Sequence, residues 1–125
     1  VLHATGRGLA DWQADTPPPL LPLARAEAIV LVPETAWLND RIAQRFAAMV
    51  AAGALKEAEK NLSGWDPRRP SSRAIGGPEL IEHLQGGIDL DTAIGRAILA
   101  SRQYAKRQRT WFRSNMADWA RLSLP

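Results

Sequence analysis

Cysteine is absent from this chain of 125 residues. Its absence excludes a disulfide scaffold, thiolate metal sites and a cysteine nucleophile, and it fits a reducing compartment. Histidine is scarce: His3 and His83 stand far apart, and no HExxH or similar spacing occurs. A zinc-hydrolase reading therefore has no ligand set. No GxxxxGK(S/T) loop is present to cradle phosphate. Long apolar runs are missing too. The run Ala28 to Val32 is strand-sized, and no run approaches the roughly 18 residues a membrane span needs. The first residues show no basic stretch followed by an apolar core, so no signal peptide is read there.

What remains is a globular composition, with 46% hydrophobic and 23% charged residues. The length suits one domain or a piece of a larger one. Net charge is +3, and thirteen of the sixteen basic residues are arginine. Arginine's planar donor fork grips phosphate and carboxylate, although GC-rich coding also raises arginine over lysine.

Val1 to Gln13 reads as the end of a helix with a short continuation, interrupted at Gly6 and Gly8. The start at Val1, with no N-cap residue, reads as a chain entered within an element. Thr16 to Pro22 holds four prolines and is an extended connection. Glu27 to Val32 reads as a strand, apolar on both faces and suited to burial in a parallel sheet. One other strand is read, Ala120 to Leu124. Two strands are not stable alone, so the sheet is expected to need strands from outside the chain.

Helical spacing of Leu38, Ile42, Phe46, Met49 and Val50 predicts a helix over Glu34 to Ala52, capped by Gly53. Shorter helices follow at Ala54 to Leu62 and Pro78 to Gln85, separated by a loop from Ser63 to Ser72. A long helix is predicted from Asp89 to about Arg113, with Asp89 and Asp91 favourably placed at its N-terminus.

The long helix carries the strongest chemical signal. Between Arg96 and Arg113 there are six basic residues and no acid. Arg102, Lys106, Arg109 and Arg113 fall within roughly 60° of arc. Ile94, Ser101, Ala105 and Phe112 form a neighbouring, more apolar strip. One strip can face a core while the other meets a polyanion; a solvated basic face satisfies the same spacing. The loop Arg68-Arg69-Pro70-Ser71-Ser72-Arg73, followed by Gly76 and Gly77, offers guanidinium and hydroxyl groups to a nucleic-acid backbone, or is an ordinary surface turn. Arg45 adjoins Phe46 at the edge of an apolar stripe, placed for a diphosphate or for an ion pair with Asp40 or Glu34. The five tryptophans can stack on bases but more often pack. Asp66 and Glu79 are isolated acids with no partner spaced for general acid–base work.

The segment SRQYAKRQRTWFR, Ser101 to Arg113, closely resembles the C-terminal signature of tRNA dimethylallyltransferases, also called tRNA isopentenylpyrophosphate transferases. Three further stretches agree in order: RIAQRFAAMVAAG (Arg41 to Gly53), SSRAIGGPEL (Ser71 to Leu80) and GGIDLDTAI (Gly86 to Ile94). The resemblance spans essentially the whole chain. It implies transfer of a dimethylallyl group from dimethylallyl diphosphate to N6 of the adenosine 3′ of the anticodon. It also implies an α/β fold of P-loop type, of which residues 1–125 form the mostly helical C-terminal portion with about two strands. The P-loop half and a helical insertion are expected to precede the chain.

By the same resemblance, Arg45 contacts the diphosphate. Arg68, Arg69, Ser71, Ser72 and Arg73 touch tRNA, as do Ser101, Arg102, Gln103, Lys106, Arg107 and Gln108. Mg2+ assists the complete enzyme, with no ligand from this chain. The implied partners are the tRNA anticodon stem-loop, dimethylallyl diphosphate and the N-terminal half of the same enzyme, with no membrane. The implied setting is a cytoplasmic monomer, inactive as this chain alone. Gly77 and Pro78 depart from the family's aromatic and basic pair. Two other readings compete: a stand-alone basic RNA-binding module, and a relative prenylating free adenine nucleotide. The tRNA-type ending argues against the second.

Overall fold

Glycine and proline divide the chain before any tertiary contact does. In the computed structural model, which describes residues 1–124, Gly6 adopts φ 69° and closes a one-turn helix, α1 (Leu2–Thr5). A second short helix, α2 (Leu9–Ala14), follows. The interruption read at Gly6 and Gly8 falls where α1 ends and α2 begins. Arg7 lies 4.5 Å over the Trp12 ring and pairs with Asp15, which folds this segment onto itself. The prolines of 16–22 hold an extended connection, which a 3-10 turn ends at Leu23–Arg25.

Strand β1 (Ile29–Pro33) pairs in parallel with β2 (Ala120–Leu124), Ile29 opposite Ala120 and Pro33 opposite Leu124. Both strands lie where the sequence places them. Burial does not follow: Ile29, Leu31 and Leu122 remain 43%, 55% and 50% exposed. A strand is covered on both faces only when neighbouring strands and helices flank it, and the described residues supply β1 with one neighbouring strand.

Helix α3 (Thr35–Ala51) starts where the Glu34 carboxylate accepts the Trp37 N–H at 2.8 Å. It ends at Gly53, whose φ of 107° suits glycine. Helix α4 (Ala54–Asn61) follows at once. The expected loop over Ser63–Ser72 contains 3-10 turns at Leu62–Gly64 and Pro70–Arg73. Helix α5 (Gly77–Leu84) opens one residue earlier than expected, with the Glu79 carboxylate accepting the Gly76 N–H at 3.0 Å. Helix α6 (Leu90–Asn115) is 26 residues long, or about 39 Å. Asp89 caps it, accepting from the Thr92 N–H at 2.7 Å and the Thr92 hydroxyl at 2.9 Å.

The core is small. Phe46 of α3, Leu80 and Ile81 of α5, and Ala93 and Ala97 of α6 are its buried apolar residues. The two alanines let α5 and α6 approach closely, and an Arg96–Glu82 ion pair at 3.0 Å fastens the same helices. Ile94, Ser101, Ala105 and Phe112, the expected core strip, are each only half-buried. The deepest face of α6 is set one position away, by Ala93 and Ala97.

Candidate functional site

Helix α6 presents its cations in two directions. Arg109 donates to the Thr35 hydroxyl at 2.8 Å and Arg102 to the Asn39 carbonyl at 3.5 Å, so both turn toward α3. Arg109 and Arg113 line a groove of about 290 Å³ with Arg121 of β2, over an apolar wall of Val30, Val32 and Phe112. Gln103, Lys106 and Arg107 line a separate, shallow groove of about 560 Å³ with Trp111. The single basic strip read from the spacing is therefore split. Lys106 shares its groove with Arg107, which the spacing sets off the strip. Arg107 lies 5.7 Å over the Tyr104 ring, and Gln108 is exposed. Of the six cations from Arg96 to Arg113, Arg96 alone pairs with a carboxylate among the described residues.

The 68–73 segment is organised by Asp66. Arg68 donates to both oxygens of that carboxylate, at 3.0 and 3.1 Å. This engagement holds the Asp66 carboxyl below its usual range and raises the Arg68 guanidinium above its own. Arg69 approaches the same carboxylate at 4.0 Å. Arg69, Ser71 and Ser72 line a groove of about 640 Å³ floored by Phe46, Leu80 and Ile81. Ser72 is buried, at 6% exposure, whereas Ser71 and Arg73 are exposed. Trp65 closes the wall beside Gly77, where a Cβ would lie 3.3 Å from the indole Cη2. A side chain at 77 would press on the Trp65 ring.

Arg45 is exposed on α3 and lines neither groove of α6 nor the 640 Å³ groove. It makes no ion pair with Asp40 or Glu34. Glu34 is committed instead to the α3 cap, and the backbone N–H of Trp37 lowers its pKa. Arg41 lies 5.7 Å over Trp37. The two isolated acids are structural: Asp66 binds Arg68, and Glu79 caps α5. Among the described residues no three of His, Asp and Glu converge on a point that could hold a metal.

Arg121 enters these grooves without having been singled out by the sequence, and Trp65 was read there only as one of five tryptophans able to stack or to pack. Arg121 joins Arg109 and Arg113 only through the β1–β2 register, which no local pattern encodes. Trp65 carries no periodic signal, and its place depends on the bare backbone at Gly77.

Fold and grooves together define the class: a mostly helical α/β protein with cation-lined clefts suited to phosphate-bearing ligands. Residues 1–115 match the family model described as IPP transferase, and the chain belongs to that family. It is 63% identical over 125 residues to a tRNA dimethylallyltransferase of Cereibacter sphaeroides, covering all of this chain and 43% of that protein. A tRNA dimethylallyltransferase of Dinoroseobacter shibae is 60% identical over 119 residues, covering 95% of this chain and 40% of the relative. The full-length tRNA isopentenylpyrophosphate transferase of Bacillus halodurans superposes with a TM-score of 0.70 at 38% identity. That match covers 77% of this chain and 31% of the crystallised one. A Staphylococcus epidermidis counterpart also gives 0.70, at 31% identity, over 78% of this chain and 31% of its own. The chain thus spans about two fifths of the length of these curated relatives. No helix among the described residues is long and apolar enough to cross a membrane.

Proposed function

We propose that this chain is the C-terminal portion of the catalytic and tRNA-binding domain of a tRNA dimethylallyltransferase, working in the cytoplasm as part of a monomer. The observation that carries the reading is the set of α6 cations left without carboxylate partners. Like charges one turn apart destabilise a helix by a few tenths of a kcal/mol per pair. A phosphate backbone relieves that repulsion and gains counterion-release energy. Lys106 and Arg107, with Ser101, Arg102, Gln103 and Gln108 beside them, form one contact surface for the anticodon stem-loop. Arg68 to Arg73 form another. A P-loop half supplied by the rest of the polypeptide completes the sheet and the substrate channel, and the target adenosine is flipped into it.

In the transfer, N6 of the adenosine bonds to the allylic carbon as the bond from that carbon to diphosphate oxygen breaks. The N6 proton leaves to a base outside this chain. Charge develops on the departing diphosphate, where the Arg45 guanidinium is most useful. Mg2+ would neutralise further charge there, with ligands from outside this chain.

The test is transfer by the intact protein, offered tRNA or AMP with dimethylallyl diphosphate. Transfer to tRNA and not AMP is expected, and none from the 125-residue chain alone. Arg45→Ala should lower kcat about 10²–10³-fold, with partial recovery in Arg45→Lys. Transfer to AMP in preference to tRNA, or an Arg45→Ala enzyme as fast as wild type, would overturn the reading.

A further inference from the structure

Trp65 stands on the ridge between two open grooves. It lines the 640 Å³ groove together with Arg69 and Ser71, and an adjoining groove of about 610 Å³ together with Arg73 and Pro78. The 3-10 turn at Leu62–Gly64 places it there, with the Trp65 N–H donating to the Leu62 carbonyl at 3.3 Å. The residue is only half-buried. Its indole N–H has no hydrogen-bond partner among the described residues, and no buried polar side-chain atom there is left unpaired, so this N–H is open to solvent. The benzo edge rests against Gly77, whose missing side chain is what makes room for the ring. Arg69 and Arg73 flank it, one in each groove. Asp66 is held bidentately by Arg68 and reaches Arg69 only at 4.0 Å, while Arg73 has no carboxylate partner among the described residues.

An aromatic ridge with a guanidinium on each side matches one chemical class well. Single-stranded RNA offers unstacked bases with a phosphate on either side, and proteins bind it by stacking bases on aromatic rings and pairing the backbone with cations. A duplex keeps its bases stacked internally and presents no free face. We propose that Trp65 is a base-stacking platform for an unpaired nucleotide of the RNA substrate, with Arg69 and Arg73 taking the adjacent phosphates. The inference rests on the tRNA reading above and adds to it a residue and a mode of contact.

The experiment uses the intact protein and two unmodified RNAs: an anticodon stem-loop and a fully paired duplex of the same length. Wild type, Trp65→Leu and Trp65→Phe are titrated with each. Leucine retains apolar packing against Gly77 and removes the π face. Trp65→Leu should bind the stem-loop about 5- to 150-fold more weakly, Trp65→Phe should stay within about 3-fold of wild type, and duplex binding should be unchanged for both. Separately, wild-type protein carrying 5-fluorotryptophan is followed by fluorine NMR. The Trp65 resonance, assigned by its loss in Trp65→Phe, should shift with the stem-loop and not with the duplex. Stem-loop affinity unchanged in Trp65→Leu, an equal loss for both RNAs, or a stationary resonance at saturating stem-loop overturns the proposal. Failure of wild type to bind either RNA overturns the tRNA reading itself, a result distinct from those three.

Discussion

Gly76 meets two constraints that no other residue satisfies together. Its φ is 97°, and a Cβ there would lie 2.7 Å from Cε2 of Phe46. Phe46 is 5% exposed and belongs to the buried core, so its ring would have to leave its packed position to admit a methyl group. The same backbone N–H is the group that Glu79 captures to start α5. Gly76→Ala should therefore destabilise the intact protein by about 2–4 kcal/mol, summing backbone strain and overpacking. Adding Phe46→Leu should recover the steric share and leave the backbone share, as read by denaturant titration. A Gly76→Ala midpoint equal to wild type would show that neither the backbone conformation nor Phe46 constrains this position. Gly77, one residue on, carries only a steric constraint, and it comes from Trp65.

Helix α6 packs against α5 in its first half and carries cations without carboxylate partners among the described residues in its second. Ala93 and Ala97 dock it on α5, and the Asp89 cap fixes where it begins. Hydrogen bonding to the Thr92 backbone N–H lowers the Asp89 pKa. That stabilisation is present at neutral pH and is lost as pH falls through the lowered folded-state value. Further along, Arg102 and Arg109 reach α3 while Lys106 and Arg107 line an open groove. The two pairs should behave differently on substitution. Lys106→Ala with Arg107→Ala should leave the melting temperature unchanged and lower the log–log salt slope of stem-loop binding by about 1.4–1.8. Arg102→Ala with Arg109→Ala should lower the melting temperature as well, because those side chains join two helices. An unchanged slope in the first variant would make the groove a solvated face.

At the scale of the whole molecule, surface area is the informative quantity. The chain exposes 9669 Å², whereas a compact monomer of 13.7 kDa is expected to expose about 6,600 Å². Large apolar side chains lie exposed on β1, on β2 and in the segment before β1. Leu20 is fully exposed, and Leu21, Leu31 and Leu122 are each half exposed or more. Faces of this kind pack against further polypeptide or bind apolar probes. The isolated 125-residue chain should therefore bind a hydrophobic dye strongly and melt broadly, and dye binding should fall when the remainder of the proposed transferase is supplied. A sharp, dye-silent melt of the isolated chain would favour a self-sufficient RNA-binding module.

Local patterns carried much of this protein. The helix starts at Glu34 and Asp89, the stops at Gly53 and Gly86, both strands and the family signature around Ser101–Arg113 are legible in the sequence because caps, periodicity and motifs act over a few residues. Where those elements send their side chains was decided only by the tertiary structure. Spacing drew Arg102, Lys106, Arg109 and Arg113 as one strip; in the fold Arg109 and Arg113 line one groove, Lys106 another, and Arg102 reaches α3. Ser72 read as an exposed hydroxyl and is buried under the 3-10 turn it belongs to. Trp65 gained its place only when α5 brought Gly77 against it, and Arg121 joined Arg113 through a strand pairing that links the two ends of the chain. Such contacts join residues distant in sequence, so their outcome depends on how helices and strands pack and not on any local run of residues.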